Sequence, residues 1–451
     1  MRQTRLIPLL LALAAPVPAL AETFEQQLPN GLRVIVREDR RAPTVVHMVW
    51  YRAGSMDETN GRTGVAHVLE HMMFKGTPKA GPGEFNRRVA AAGGRDNAFT
   101  SRDYTAYFQQ VPEHKLAEMM QLEADRMRHL TLDPEEFAQE VRVVMEERRL
   151  RTEDHAQSLL FEQLTATAFQ AHPYRVPIIG WMNDIENLAP ADARSWYDNW
   201  YAPNNATLVV VGDVDHQAVF ALAAQHYGPL QARQLPVRKP QDEPPQLGTR
   251  RLSVKAAADL PLVMMAYKVP VIRHVEQDVD PYALEILAAV LAGHDAARFS
   301  TSLVRRQQLA VEAAADYDST ARGPGIFYLR ASPSEGKSVS ELEAGLRAEI
   351  AAVQESGVSA DELARAKAQL IAGQIYKLDS MFAQAMEIGQ LEAVGIPYTQ
   401  KRRLLEKLQE VTAAQVQAVA RRYFTDQALT IAELVPQPLP SAARSPAPAR
   451  H

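Results

Sequence analysis

Apolar residues recur along this chain at two spacings, and the two alternate in an orderly way. "TVVHMVWY" (44–51) is an apolar run of strand length, and a loop and then "GVAHVLEHMMFKGT" (64–77) follow it. In the second stretch the apolar positions fall at helical spacing. At about 100° per residue, Val65, Val68, Leu69, Met72 and Met73 gather on one side and His67, Glu70 and His71 on the other. One face is made for a core and the other looks into a cleft or into water.

The same order of elements appears twice. "LVMMAYKVP" (262–270) repeats the first strand, and "LEILAAVLAGH" (284–294) repeats the helix. "TSRDYTAYFQQVP" (100–112) is answered by "TARGPGIFYLRASP" (320–333), and "DPEEFAQEVRVVMEER" (133–148) by "SADELARAKAQLIAGQ" (359–374). Each half ends on a helix and a β-rich run, "NATLVVVGDV" and "QALTIAELVP". Strands, helix, strands, helices and strand in both halves predict two homologous α+β domains from an internal duplication.

Composition sets the boundaries. Arg2 and Arg5 precede "LIPLLLALAAPVPALA", which closes on a small-residue cleavage site; residues 1–21 therefore read as a signal peptide. The run is short and broken by prolines, so a membrane span is not expected; retention as an N-terminal anchor is the alternative. The first domain is expected over 22–228, a Pro-rich linker over 229–249, the second domain over 250–436 and a disordered Pro-rich tail over 437–451. Export places the mature chain in the periplasm or outside the cell.

A net charge of −5 gives no basic surface for nucleic acid. The 451 residues include no cysteine, so stability rests on core burial, and a metal site must use His, Asp or Glu.

His67 and His71 are four residues apart, neighbours on a helix surface able to share one metal ion. Glu70 lies between them, placed to take a proton from an attacking water. The pattern is H-x-x-E-H, the inverse of H-E-x-x-H. The duplication acts as an internal control: Glu285, Ala288 and Ala289 stand at the corresponding places, so the fold does not require the three polar residues.

A catalytic zinc takes three protein ligands and keeps one open position. The helix beginning at Pro134, with Asp133 as N-cap, offers carboxylates. Phe137, Val141, Val144 and Met145 form its apolar face. Glu146 points away from that face, whereas Glu140 and Glu147 share a flank that can reach a buried site. Glu147 is therefore preferred as the third ligand, with Glu140 supporting a ligand from behind. The second half has Ala366 and Gly373 there.

With these residues in place, the chain resembles the insulinase/pitrilysin family of zinc metallopeptidases, in its mitochondrial-processing-peptidase-like branch. The resemblance covers nearly the whole mature chain. It rests on H-x-x-E-H, on a glutamate about 75 residues further on with another seven before it, and on "NAFTSRDYTAY" (97–107). It implies a clam-shell of two domains around a chamber, one zinc per chain, and endopeptidase action on peptides or unfolded polypeptides with Glu70 as general base. It also implies that substrate pairs with an edge strand at Asn97, Ala98 and Phe99, with Asn97 foremost in holding substrate backbone.

The chain departs from the family pattern in one place. Active single-chain members carry an Arg and a Tyr seven apart, in a stretch resembling "LRExxGLAY". Here "LVRRQQLAV" (303–311) puts Val304 and Val311 at those positions. Arg305, Arg306 and Tyr317 lie nearby but do not fit the spacing. The expectation is a metal-bearing subunit of a heterodimer whose related partner lacks H-x-x-E-H; a homodimer is the competing arrangement. The rival reading of function is a non-catalytic structural or peptide-binding subunit of the same fold.

Overall fold

The computed structural model describes residues 22–438. The expected signal peptide and nearly all of the tail lie outside the described residues.

The first half contributes strands β1 (Thr23–Gln27), β2 (Arg33–Glu38), β3 (Thr44–Tyr51), β4 (Arg95–Thr100), β5 (Thr105–Pro112) and β6 (Ala206–Gly212). They form one sheet in the order β1-β2-β6-β3-β5-β4. The second half contributes β7 (Arg250–Ala257), β8 (Leu262–Val269), β9 (Ala310–Tyr317), β10 (Gly325–Pro333) and β11 (Leu429–Gln437), in the order β7-β11-β8-β10-β9. Leaving out β1, the two orders are the same. The pairing sense is the same too: β2 with β6 and β7 with β11 are parallel, and every other pair is antiparallel. The fold is two α+β domains of common topology.

The helices follow the same plan. The first half has α1 (Val65–Met72), α2 (Glu84–Ala91), α3 (Leu116–His129), α4 (Pro134–Arg148), α5 (Ala156–Ala168), α6 (Met182–Asn187), α7 (Pro190–Trp200) and α8 (His216–His226). The second has α9 (Asp280–Ala292), α10 (Val339–Ser356), α11 (Ala360–Lys377), α12 (Met381–Val394), α13 (Lys401–Glu410) and α14 (Ala413–Tyr423). Helices α1, α3, α4 and α7 close the first core over one face of its sheet, and α9, α10, α11 and α14 close the second.

The other face of each sheet is covered by a helix from the opposite half. Met381, Ala385 and Ile388 of α12 pack on Val46, Met48, Trp50, Val209 and Val211 of the first sheet. Leu160, Leu164 and Ala168 of α5 pack on Leu262, Met264, Ala432 and Leu434 of the second. The halves are therefore domains by topology, but each needs the other to bury its sheet.

No helix or strand lies between 229 and 249. That segment is nonetheless tied to both halves. The Glu243 carboxylate accepts backbone N–H groups of Gln170, Ala171 and His172, and Lys268 Nζ at 2.6 Å. Strand β11 runs through Gln437, opposite Ala257, and so takes in the first residue of the expected tail. A residue whose backbone pairs with a parallel neighbour is held whatever the composition that follows it.

Candidate metal centre

Helix α1 is short and begins without a side-chain cap of its own. Gly64 occupies the cap position with φ +88°. A Cβ there would meet the Ile179 carbonyl oxygen at 2.5 Å, and a Cβ on Gly180 would come within 2.6 Å of Gly64 Cα. Both positions need glycine because the two backbones touch. The exposed N–H groups are taken by Glu58, whose carboxylate accepts from Gly64 N at 2.9 Å and Ala66 N at 2.8 Å. That contact is the capping job a local Ser or Asp ordinarily does.

Val65, Val68, Leu69 and Met72 of α1 lie in the first core. The opposite face looks into protein rather than solvent, with His67 and Glu70 buried and His71 half-buried. Helix α4 runs alongside. Asp133 caps it by accepting from Glu135 N and Glu136 N, and Pro134 stands at its first position. Its far end is fixed by Arg148, which donates to both Glu162 oxygens at 2.8 and 2.9 Å and to the Gly180 carbonyl. Beyond Arg148 the helix widens into a π-helical turn, Arg149–Glu153, a distortion that recurs at functional sites.

This scaffold brings His67, His71 and Glu147 together. Glu147 lies 3.8 Å from His67 Nε2 and 3.5 Å from His71 Nε2. One donor atom from each of the three residues fits within a common 4.8 Å. Ligand distances of about 2.1 Å around a tetrahedral ion put donors roughly 3.4 Å apart, so the separations suit zinc. Donor chemistry agrees. Burial and the neighbouring His71 pull the His67 imidazole down to about 4, which keeps it neutral as a ligand must be. Burial also opposes the charged form of His71, but hydrogen bonds to Glu140 and Glu147 outweigh it and raise the imidazole to about 9, so a bound metal would have to displace its proton.

The supporting contacts are specific. His71 Nδ1 lies 3.0 Å from Glu140, which also receives Lys75 Nζ at 2.6 Å. A carboxylate behind the imidazole fixes its tautomer and leaves Nε2 free to face the site. Arg151 Nη1 reaches Glu147 at 2.5 Å. Glu70 accepts a hydrogen bond from the Thr100 hydroxyl, and burial raises its carboxyl above the ordinary range. Glu146 points outward to Arg149.

A cavity of about 750 Å³ opens beside these groups. His67, Glu70 and Glu147 line it, together with Ala98, Phe99 and Thr100 of β4. Strand β4 is the free edge of its sheet, paired only with β5. Asn97 lies on that edge but outside the cavity wall, and its side-chain oxygen accepts the Ala98 N–H at 2.9 Å. The second half closes the cavity with Met264, Asp316, Tyr328, Leu329 and Arg330. Val304 and Val311 are not in the wall. Nor are Arg305, Arg306 or Tyr317, whose hydroxyl donates to the Pro270 carbonyl at 2.6 Å.

Sequence reasoning missed Glu58, Thr100, Arg151, Tyr328 and Arg330. Thr100 and Arg151 carried a signal: one ends the strand that "NAFTSRDYTAY" marks, and the other stands four residues after Glu147. The remaining three are brought in by tertiary packing, with no local pattern.

Known proteins resemble this chain in sequence and in fold. Residues 33–180 match the family described as Insulinase (Peptidase family M16), and residues 187–370 match its Peptidase M16 inactive domain. The chain belongs to the insulinase family of peptidases. It is 32% identical to "Zinc protease PqqE" of Helicobacter pylori over 422 residues, 91% of this chain and 92% of that protein. Over 209 residues, 46% of this chain and 45% of the relative, it is 31% identical to the mitochondrial-processing peptidase subunit beta of Blastocladiella emersonii. A crystal structure of a protease from Helicobacter pylori superposes with a TM-score of 0.87 at 30% identity, covering 92% of this chain and all of the other.

Proposed function

We propose that this chain is a zinc-dependent endopeptidase acting on peptides or unfolded polypeptides, with one zinc per chain held by His67, His71 and Glu147. The observation that carries the reading is the convergence of three donor atoms within 4.8 Å, beside a cavity that His67, Glu147 and Glu70 line. Zinc there would supply the Lewis acidity that polarises the scissile carbonyl and makes water acidic.

Glu70 is the general base. Its carboxyl is buried and its proton affinity raised, so it can take a proton from the attacking water and hand it to the leaving amine as the C–N bond breaks. Thr100 fixes which carboxyl oxygen is engaged. Glu140 holds His71 in the tautomer that presents Nε2. The free edge of β4 would take an extended substrate as an added strand, with Ala98 and Phe99 against the bound chain and Asn97 at its outer end.

The valines at 304 and 311 support a division of labour, in which a related subunit lacking H-x-x-E-H completes the site. Homodimers are the competing arrangement. Residues 1–21 support export to the periplasm. No helix among the described residues is long and apolar enough to cross a membrane.

Hydrolysis of a mixed peptide library by the purified mature chain tests the reading. Turnover that a chelator abolishes and zinc restores is expected. A specific rate that falls on dilution and is rescued by the related subunit supports the heterodimer. No turnover in any of these settings would favour a peptide-binding role.

A further inference from the structure

The cavity beside the candidate metal centre carries four guanidinium groups and four carboxylates. Arg102, Arg151, Arg175 and Arg330 all line it. Two of them have partners: Arg151 reaches Glu147, and Arg330 lies 3.8 Å from Asp316. Among the described residues, the side chains of Arg102 and Arg175 form no ion pair and no hydrogen bond. Arg102 stands two residues after the end of β4, and its guanidinium sits over the Tyr174 ring, 5.3 Å from the centroid. Arg175 follows Tyr174 in sequence, and both arginines line the cavity beyond the end of the open edge strand.

Arg102 Nε is shielded from solvent and donates to nothing. A buried N–H without an acceptor is costly, and an acceptor supplied by a ligand removes that cost. The acidic groups of the wall cannot serve. Glu162 is held by both arms of Arg148, Glu70 accepts from the Thr100 hydroxyl, Glu147 belongs to the donor cluster, and Asp316 is mostly exposed beside Arg330. A divalent ion held by His67, His71 and Glu147 would add positive charge to the same space. Apolar residues, among them Phe99, Phe161 and Ile178, make up much of the remaining wall and weaken the screening of charge by water.

We propose that this cleft selects substrates by an acidic side chain, an aspartate or glutamate received by Arg102 and Arg175 at the end of β4. The proposal rests on the peptidase reading for its setting. A planar guanidinium fork matches a carboxylate with two parallel hydrogen bonds, and this pairing separates Glu from its isostere Gln.

Fluorescein-labelled peptides differing only in one Glu, Gln or Lys, stepped along the sequence, would be titrated against the full chain carrying Glu70→Gln and followed by anisotropy. At one or more positions the Glu peptide is expected to bind at least tenfold more tightly than the Gln peptide, and the Lys peptide more weakly than both. Arg102→Gln and Arg175→Gln should each pull the Glu-to-Gln ratio toward one. If Arg102→Gln does not fold, Arg175→Gln carries the test, because its side chain leaves no pairing broken. Equal affinity for Glu and Gln at every position, or a preference that survives both substitutions, would overturn the proposal. Cleavage of the same peptides by the unsubstituted chain is read separately. A Glu preference without cleavage would sink the peptidase reading and leave this selectivity standing, whereas cleavage without the preference would do the reverse.

Discussion

Glu140 touches no expected substrate, yet its carboxylate takes the Nδ1 side of His71 and the Lys75 ammonium together. Replacing it with Gln removes the charge that sets the imidazole's tautomer, and metal affinity should drop about 10–100-fold in a chelator competition. An unchanged affinity would mean that the tautomer is fixed without it. Glu285, which stands where the first half has His67, offers a different test. Burial, against a hydrogen bond from Ser319, pushes its carboxyl up to about 7 from 4.5. Between those values the folded state keeps a proton that the unfolded chain has released, so stability falls as pH rises through the window. The rise corresponds to at most about 3 kcal/mol, and partial solvent contact reduces this to about 1–2 kcal/mol. Glu285→Gln has no proton to lose. Its melting temperature should gain on the parent between pH 5 and pH 8, and a difference constant with pH would contradict this. His67, Glu70 and His71 were legible in the sequence because helical spacing is local. Glu147 was legible because an amphipathic helix fixes which flank meets the core. Arg102 and Arg175 were not, since only folding brings the turn after β4 to the turn that ends at Arg175.

At the scale of elements, the exchange of α5 and α12 between halves is the feature that spacing along the chain does not encode. The apolar positions Met381, Ala385 and Ile388 predict a buried face, but nothing in their period says that the sheet beneath is the other half's. The duplicated order of strands, by contrast, was readable, because strand-length apolar runs recur in the same sequence in both halves. The α12 contact is tight at Gly389, where a Cβ would lie 2.0 Å from Trp50 Cε2. Trp50 is fully buried in the centre of the first sheet and cannot swing away. Gly389→Ala should therefore destabilise the protein by about 1–3 kcal/mol, the range for overpacked cores, as measured by chemical denaturation. A neutral result would mean that α12 can slide on the sheet.

The two sheets, the two exchanged helices and the pinned 229–249 segment make one molecule around a cavity whose wall comes from both halves. The first half supplies His67, Glu70 and Glu147 to that wall, and the second supplies Tyr328 and Arg330 but not the valines at 304 and 311. Duplication thus left one copy with the candidate metal ligands and the other as a wall beside them. The account stands on Glu70, and the most direct measurement is the rate of peptide hydrolysis by the chain and by Glu70→Gln, with zinc content determined on the same samples. One zinc in each protein and a rate about 10²–10⁴-fold lower for the variant is the predicted result. Equal rates at equal zinc content would contradict the assignment of Glu70 as the base.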